Sequence, residues 1–173
     1  NGKWEDEDGL GLTLTLEASC YTLTDDSKTS KIFSPCSGGW YLTGIRDAHD
    51  NRIEFSFDSR LRPTGVSLIP NGSTRIDYLS ILYNNGVLPY LIWDPVSRDG
   101  VVLRYSSTYN GPMTMSTPRY LREVIHARGG TNVTGSQWQM FCASLMTMNV
   151  DVVSITEYTY NADGEMICAR DGY

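Results

Sequence analysis

The sequence predicts a mainly β protein made of antiparallel hairpins in a curved sheet, with one short helix near 137–148. Three observations predict it. Apolar and polar residues alternate with period two: Leu10, Leu12, Leu14 and Leu16 against Gly11, Thr13, Thr15 and Glu17, and Ile53, Phe55 and Phe57 against Glu54 and Ser56. Asn-Gly and Asp-Gly pairs, the favoured corners of tight hairpins, punctuate the runs at Asn71-Gly72, Asn85-Gly86 and Asp163-Gly164. Eleven Tyr and sixteen Gly favour strands and turns over helices.

Taken in order, residues 1–9 are an acidic, flexible end, and 10–173 read as one β-rich domain. Residues 10–23 form one amphipathic strand, 24–28 turn the chain, and 31–33 return it. The loop 34–39 leads to Trp40, and 40–66 hold two strand-like runs around one polar turn. Leu42 and Ile45 stand before that turn, Asp47, His49, Asp50, Asn51 and Arg52 make it, and Ile53, Phe55 and Phe57 follow. Strands then cover 65–69 and 74–83. The run 87–93 is the most buried-looking, and 101–105 alternates once more. The Ser/Thr/Gly/Pro-rich stretch 106–118 separates two halves, Pro118-Arg119-Tyr120 opens a strand, and 127–136 read as a loop. Residues 137–148 have no Gly or Pro, and Met140, Phe141, Ser144, Leu145 and Met148 would share a helical face; the competing reading is a strand alternating Trp138, Met140 and Cys142. Val150 to Tyr160 close the sheet, Asn161 to Gly164 turn, and Met166 restarts it.

The bulk numbers narrow the function. A formal net charge of −6, with lysine only at Lys3, Lys28 and Lys31, leaves no basic footprint for nucleic acid and little attraction for anionic membranes. The longest apolar run, Val87 to Trp93, is far short of the roughly 20 residues a spanning helix needs. Cys20, Cys36, Cys142 and Cys168 lack zinc-ligand spacing and read as buried free thiols more than as disulfides. The start, NGKWEDEDG, reads as a piece cut from a longer polypeptide rather than a signal peptide.

The run Leu42, Ile45, Asp47, Asn51, Arg52, Ile53, Phe55, Phe57, Asp58 resembles the repeat of the Rhs/YD-repeat family, and Tyr158, Tyr160, Asn161, Gly164 and Met166 resemble one further unit. Two departures stand out: Asp50 sits where glycine is usual before the Asn, and Phe57-Asp58-Ser59-Arg60 has no glycine closing its turn. The resemblance implies a YD-repeat shell strip, a non-enzymatic segment of an exported or cell-surface bacterial protein whose shell encloses or delivers a toxin domain. Its partners would be other segments of the same repeat protein, the enclosed toxin domain, or a second copy through exposed strand edges.

Catalytic, cofactor and metal sites are not expected. The two histidines, His49 and His126, are accompanied by no nucleophile elbow. Asp47, Asp50 and Asn51, or Glu5, Asp6 and Asp8, match no calcium loop, and turn formation accounts for both sets. Two other classes are weighed: a secreted carbohydrate-binding β-module using Trp4, Trp40, Trp93 and Trp138, and a small β-rich hydrolase. Cross-strand aromatic pairing is the simpler use of those rings.

Overall fold

The computed structural model describes residues 2–83, 88–108, 119–144 and 149–172. Within them the chain is mainly β, with thirteen strands whose hydrogen-bonded order follows sequence order, every observed pairing antiparallel, and one helix. The chain divides into two compact units, 1–78 and 79–173.

The first unit holds β1 (Lys3–Glu5), β2 (Thr13–Glu17), β3 (Cys20–Thr24), β4 (Ser30–Cys36), β5 (Gly39–Arg46), β6 (Arg52–Phe57), β7 (Pro63–Ile69) and the start of β8 (Ile76–Tyr83). Part of the acidic end is paired: Lys3, Trp4 and Glu5 oppose Thr15, Leu14 and Thr13. The single strand expected over 10–23 is two strands. Ala18 and Ser19 both take left-handed φ values, 45° and 69°, and fold Glu17 back onto Cys20. Neither residue is Gly, Asn or Asp, so the usual sequence cue for a primed turn is missing.

The spacing of three between Leu42 and Ile45 breaks strand alternation, and the register explains it. Phe33 opposes Leu42 and Lys31 opposes Ile45, so β5 carries one extra residue, a bulge that brings both apolar side chains to one face. Thr43 fills the bulge and bonds Ser34 through their hydroxyls at 2.7 Å. None of the fully buried hydrophobics among the described residues lies in this unit.

The second unit contains the rest of β8, then β9 (Pro89–Trp93), β10 (Asp99–Ser106), β11 (Tyr120–Gly129), α1 (Gly135–Ser144), β12 (Val150–Tyr160) and β13 (Met166–Gly172). Its core is a cross-strand row in which Leu82, Leu91, Val102, Ile125 and Ile155 oppose one another in turn. Helix α1 covers it with Trp138 and Phe141, both fully buried, their rings edge to face at 6.0 Å. The close approach needs a glycine: a Cβ on Gly100 would stand 2.5 Å from the Trp138 ring.

Thr134 and Gln137 start the helix with a reciprocal cap. The Gln137 amide donates to the Thr134 hydroxyl at 3.3 Å, and the Thr134 amide donates to the Gln137 side-chain oxygen at 2.8 Å. The helical reading of this segment therefore holds over the strand reading, but its inward face is Trp138 and Phe141, while Met140 points out, 56% exposed. The stretch 127–136 is also corrected: β11 continues to Gly129, because Ala127 and Arg128 pair with Val152 and Asp151. The expected turn at Asn85-Gly86, residue Val87, most of the 106–118 loop, and Leu145 and Met148 lie outside the described residues.

Candidate functional site

The residues singled out from the sequence come together as hairpin corners and cross-strand pairs. Asp47, Asp58 and Asn161 each end a strand and build the same turn. In each, the backbone amide of the Asx residue donates to the carbonyl four residues on, at 2.9–3.0 Å. Its side-chain Oδ1 accepts the amides two and four residues on: His49 and Asn51 at 2.8 and 2.9 Å, Arg60 and Arg62 at 2.8 and 3.0 Å, Asp163 and Glu165 at 3.0 and 2.8 Å. The residue three positions on sits in the left-handed region: Asp50 at 64°, Leu61 at 62° and Gly164 at 81°. One oxygen thus satisfies two loop donors, and the left-handed residue reverses the chain.

Two further copies lie at Asp25, within the turn expected over 24–28, and at Asp94. Asp25 closes the same turn, its Oδ1 accepting the Thr29 amide at 2.9 Å with Lys28 at φ 65°. Asp94 closes a version one residue longer, with Arg98 at 66°. The signal that finds all five is an Asx residue directly after a strand, as in Thr24-Asp25, Arg46-Asp47, Phe57-Asp58, Trp93-Asp94 and Tyr160-Asn161.

The other motif residues pair across strands. Ile45 opposes Ile53, which opposes Leu68; Phe55 opposes Val66; the Phe57 and Tyr41 rings lie 6.1 Å apart. Tyr158 opposes Ala169, and Tyr160 opposes Met166 and donates its hydroxyl to the Leu121 carbonyl at 2.7 Å.

The electrostatics of the corners follow from these bonds. The Asn51 amide holds the Asp47 carboxyl below its ordinary value, and the Arg62 side chain does the same for Asp58. These carboxylates are spent on backbone amides and neighbouring side chains and serve as structural acceptors. His49 rides on a corner, donating its amide to Asp47, whereas His126 lies in β11 of the other unit. Among the described residues no three His, Cys, Asp or Glu are placed to hold a metal ion.

The four cysteines are free thiols, but the expected burial is corrected: three are half-buried and Cys168 is exposed. Burial pushes the Cys142 thiol up to about 12, so it is inert as a nucleophile at neutral pH. The tryptophans divide. Trp138 is core, while Trp4 and Trp40 are about half exposed and flank Tyr21, at ring distances of 6.3 and 4.4 Å.

One hollow of the second unit has a volume of about 350 Å³ and lies over β9–β12, lined by Ile92, Val101, His126 and Val153 with Asp94, Asp99 and Arg128. No residue of α1 lines it.

No family model matches the chain. A curated relative, epididymal-specific lipocalin-9 of Mus musculus, is 28% identical over 102 residues, 59% of this chain. The match spans 56% of that protein's length, so the chain covers little more than half of the relative it resembles. No described helix is long and apolar enough to cross a membrane.

Proposed function

We propose that this chain is a non-enzymatic structural segment of an Rhs/YD-repeat protein, contributing strands to a β-shell that encloses or delivers a toxin domain. The observation that carries the reading is the recurrence of one side-chain-capped corner at Asp25, Asp47, Asp58 and Asn161, with the longer version at Asp94. A chain that repeats one local solution at several of its hairpins is suited to extending a sheet.

Burial supports the same reading. The first unit keeps its large apolar side chains only half covered, and such sheets gain stability from like neighbours. At the other end of the strand order, β13 exposes Met166 to Asp171 along an edge able to accept another segment of the parent protein or a second copy. Export from a bacterial cell belongs to this reading.

Electron cryomicroscopy of the longer polypeptide that contains this sequence tests it. Residues 1–173 are expected as consecutive wall hairpins with flanking segments paired to the outer strands. A self-contained domain around its own ligand or reaction centre would overturn the proposal. A second reading, a binding protein of the lipocalin kind, rests on the 28% likeness over 102 residues. That same map, showing a bound small molecule enclosed by these strands, would favour it.

A further inference from the structure

The hollow of the second unit is built on the sheet face turned away from α1. Ile92, Val101, His126 and Ser154 oppose one another across β9, β10, β11 and β12, so their side chains share one face. The neighbouring positions Gly100 and Ala127 belong to the helix-covered face, where Trp138 packs on Gly100. The floor is therefore apolar, from Ile92 and Val101, and the β12 bulge adds Val153, 55% exposed. Its volume, about 350 Å³, falls in the range of small-molecule sites, roughly 300–1,000 Å³.

One end of the hollow is polar, and its charge is unequal. Asp94 and Asp99 stand opposite each other where β9 turns into β10, the Asp94 amide donating to the Asp99 carbonyl at 2.8 Å. Asp94 spends its Oδ1 on the Val96 and Ser97 amides, and Asp99 spends its Oδ1 on the Arg128 guanidinium at 2.7 Å. The Asp99 carboxyl is also hydrogen-bonded by the Ser97 side chain, and both aspartates stay half-buried at the rim, where part of each carboxylate faces solvent. Among the residues that line the hollow, two carboxylates face one guanidinium, with Arg98 of the same turn outside the lining, in a chain whose net charge is −6. Such a field draws in cations and repels anions.

We propose that this face binds a small amphipathic amine, its apolar body over Ile92 and Val101 and its ammonium group against Asp94 and Asp99. The site is independent of the scaffold reading, since a wall segment can carry it or lack it.

The test uses three probes with the same ring and different ends: phenethylammonium, 2-phenylethanol and phenylacetate. Each is titrated into the 173-residue chain by calorimetry and by two-dimensional amide NMR. Phenethylammonium is expected to bind best, shifting the amides of Ile92, Val101 and His126, with phenylacetate weaker by about tenfold or more. Asp99→Asn is expected to weaken phenethylammonium about tenfold by removing one charge of the pair. Arg128→Gln is expected to tighten it several-fold, because the Asp99 carboxylate loses its competitor. The Arg128 side chain is largely exposed and that of Asp99 about half exposed, and unchanged amide spectra elsewhere verify that each variant folds. No binding of phenethylammonium at millimolar concentration, equal binding of the acid and the amine, or indifference to both variants overturns the proposal.

Discussion

At Leu61 a branched, half-buried side chain occupies a backbone conformation that costs an L-residue about 1–2 kcal/mol. The corresponding place in the turn at Asn161 is Gly164, and in the turn at Asp47 it is Asp50, a residue type that tolerates the left-handed region. Leu61→Gly is therefore expected to be more stable than Leu61→Ala by about 1 kcal/mol in urea unfolding, since both remove the same side chain and only glycine relieves the backbone. The Asx residues set the pH response. Hydrogen bonds lower the folded-state values of the Asp47 and Asp58 carboxyls, so the folded state binds fewer protons than the unfolded chain. The stability they contribute is complete above the unfolded carboxyl value near pH 4 and is lost as pH falls through the folded values. A double Asp47→Asn, Asp58→Asn variant is expected to show a flatter decline of stability between about pH 4.5 and pH 2, read from denaturant midpoints at each pH.

Among the elements, α1 is the one that gives the second unit an interior. Gly100→Ala drives a methyl group into the Trp138 ring and is expected to destabilise by about 1–3 kcal/mol, while Trp138→Ala removes the ring and costs about 3–5 kcal/mol. The double variant tests the contact itself: once Trp138 is gone, the added methyl should cost little, and additive losses would contradict the packing described. The legibility of each element follows from how local its determinants are. Ile53, Phe55 and Phe57 announce β6 because alternation is written in consecutive residues. The turns at Asp47 and Asn161 are legible for the same reason, since an Asx side chain bonds amides two and four residues away. The turn at Ala18-Ser19 is not, because it is imposed by the pairing of β2 with β3 rather than by its own residue types. Nor is the inward face of α1: Trp138 is inside because Gly100, distant in sequence, makes room for it, and a helical wheel carries no trace of that glycine. The hollow over Ile92 and Val101 is equally invisible, since strand register brings Asp99, His126 and Val153 to it from three strands.

Across the whole molecule, the fully buried hydrophobics among the described residues, from Leu91 to Val150, all belong to residues 79–173. Amide hydrogen exchange is accordingly expected to be slowest in β10 and β11 and faster throughout β2–β6, because opening a sheet with little buried apolar area costs less. Equal protection of both units would contradict the burial pattern. The Asx-capped corner recurs along the chain, and a unit that repeats must be interchangeable. The direct measurement is to replace Asp58–Arg62, DSRLR, by Asn161–Glu165, NADGE, and to record amide NMR spectra and thermal unfolding of the exchanged chain. The pairing of Phe55 with Val66 and of Ile53 with Leu68 should persist, with a melting temperature equal to or above that of the parent. A shifted β6–β7 register or an unfolded first unit would contradict the account.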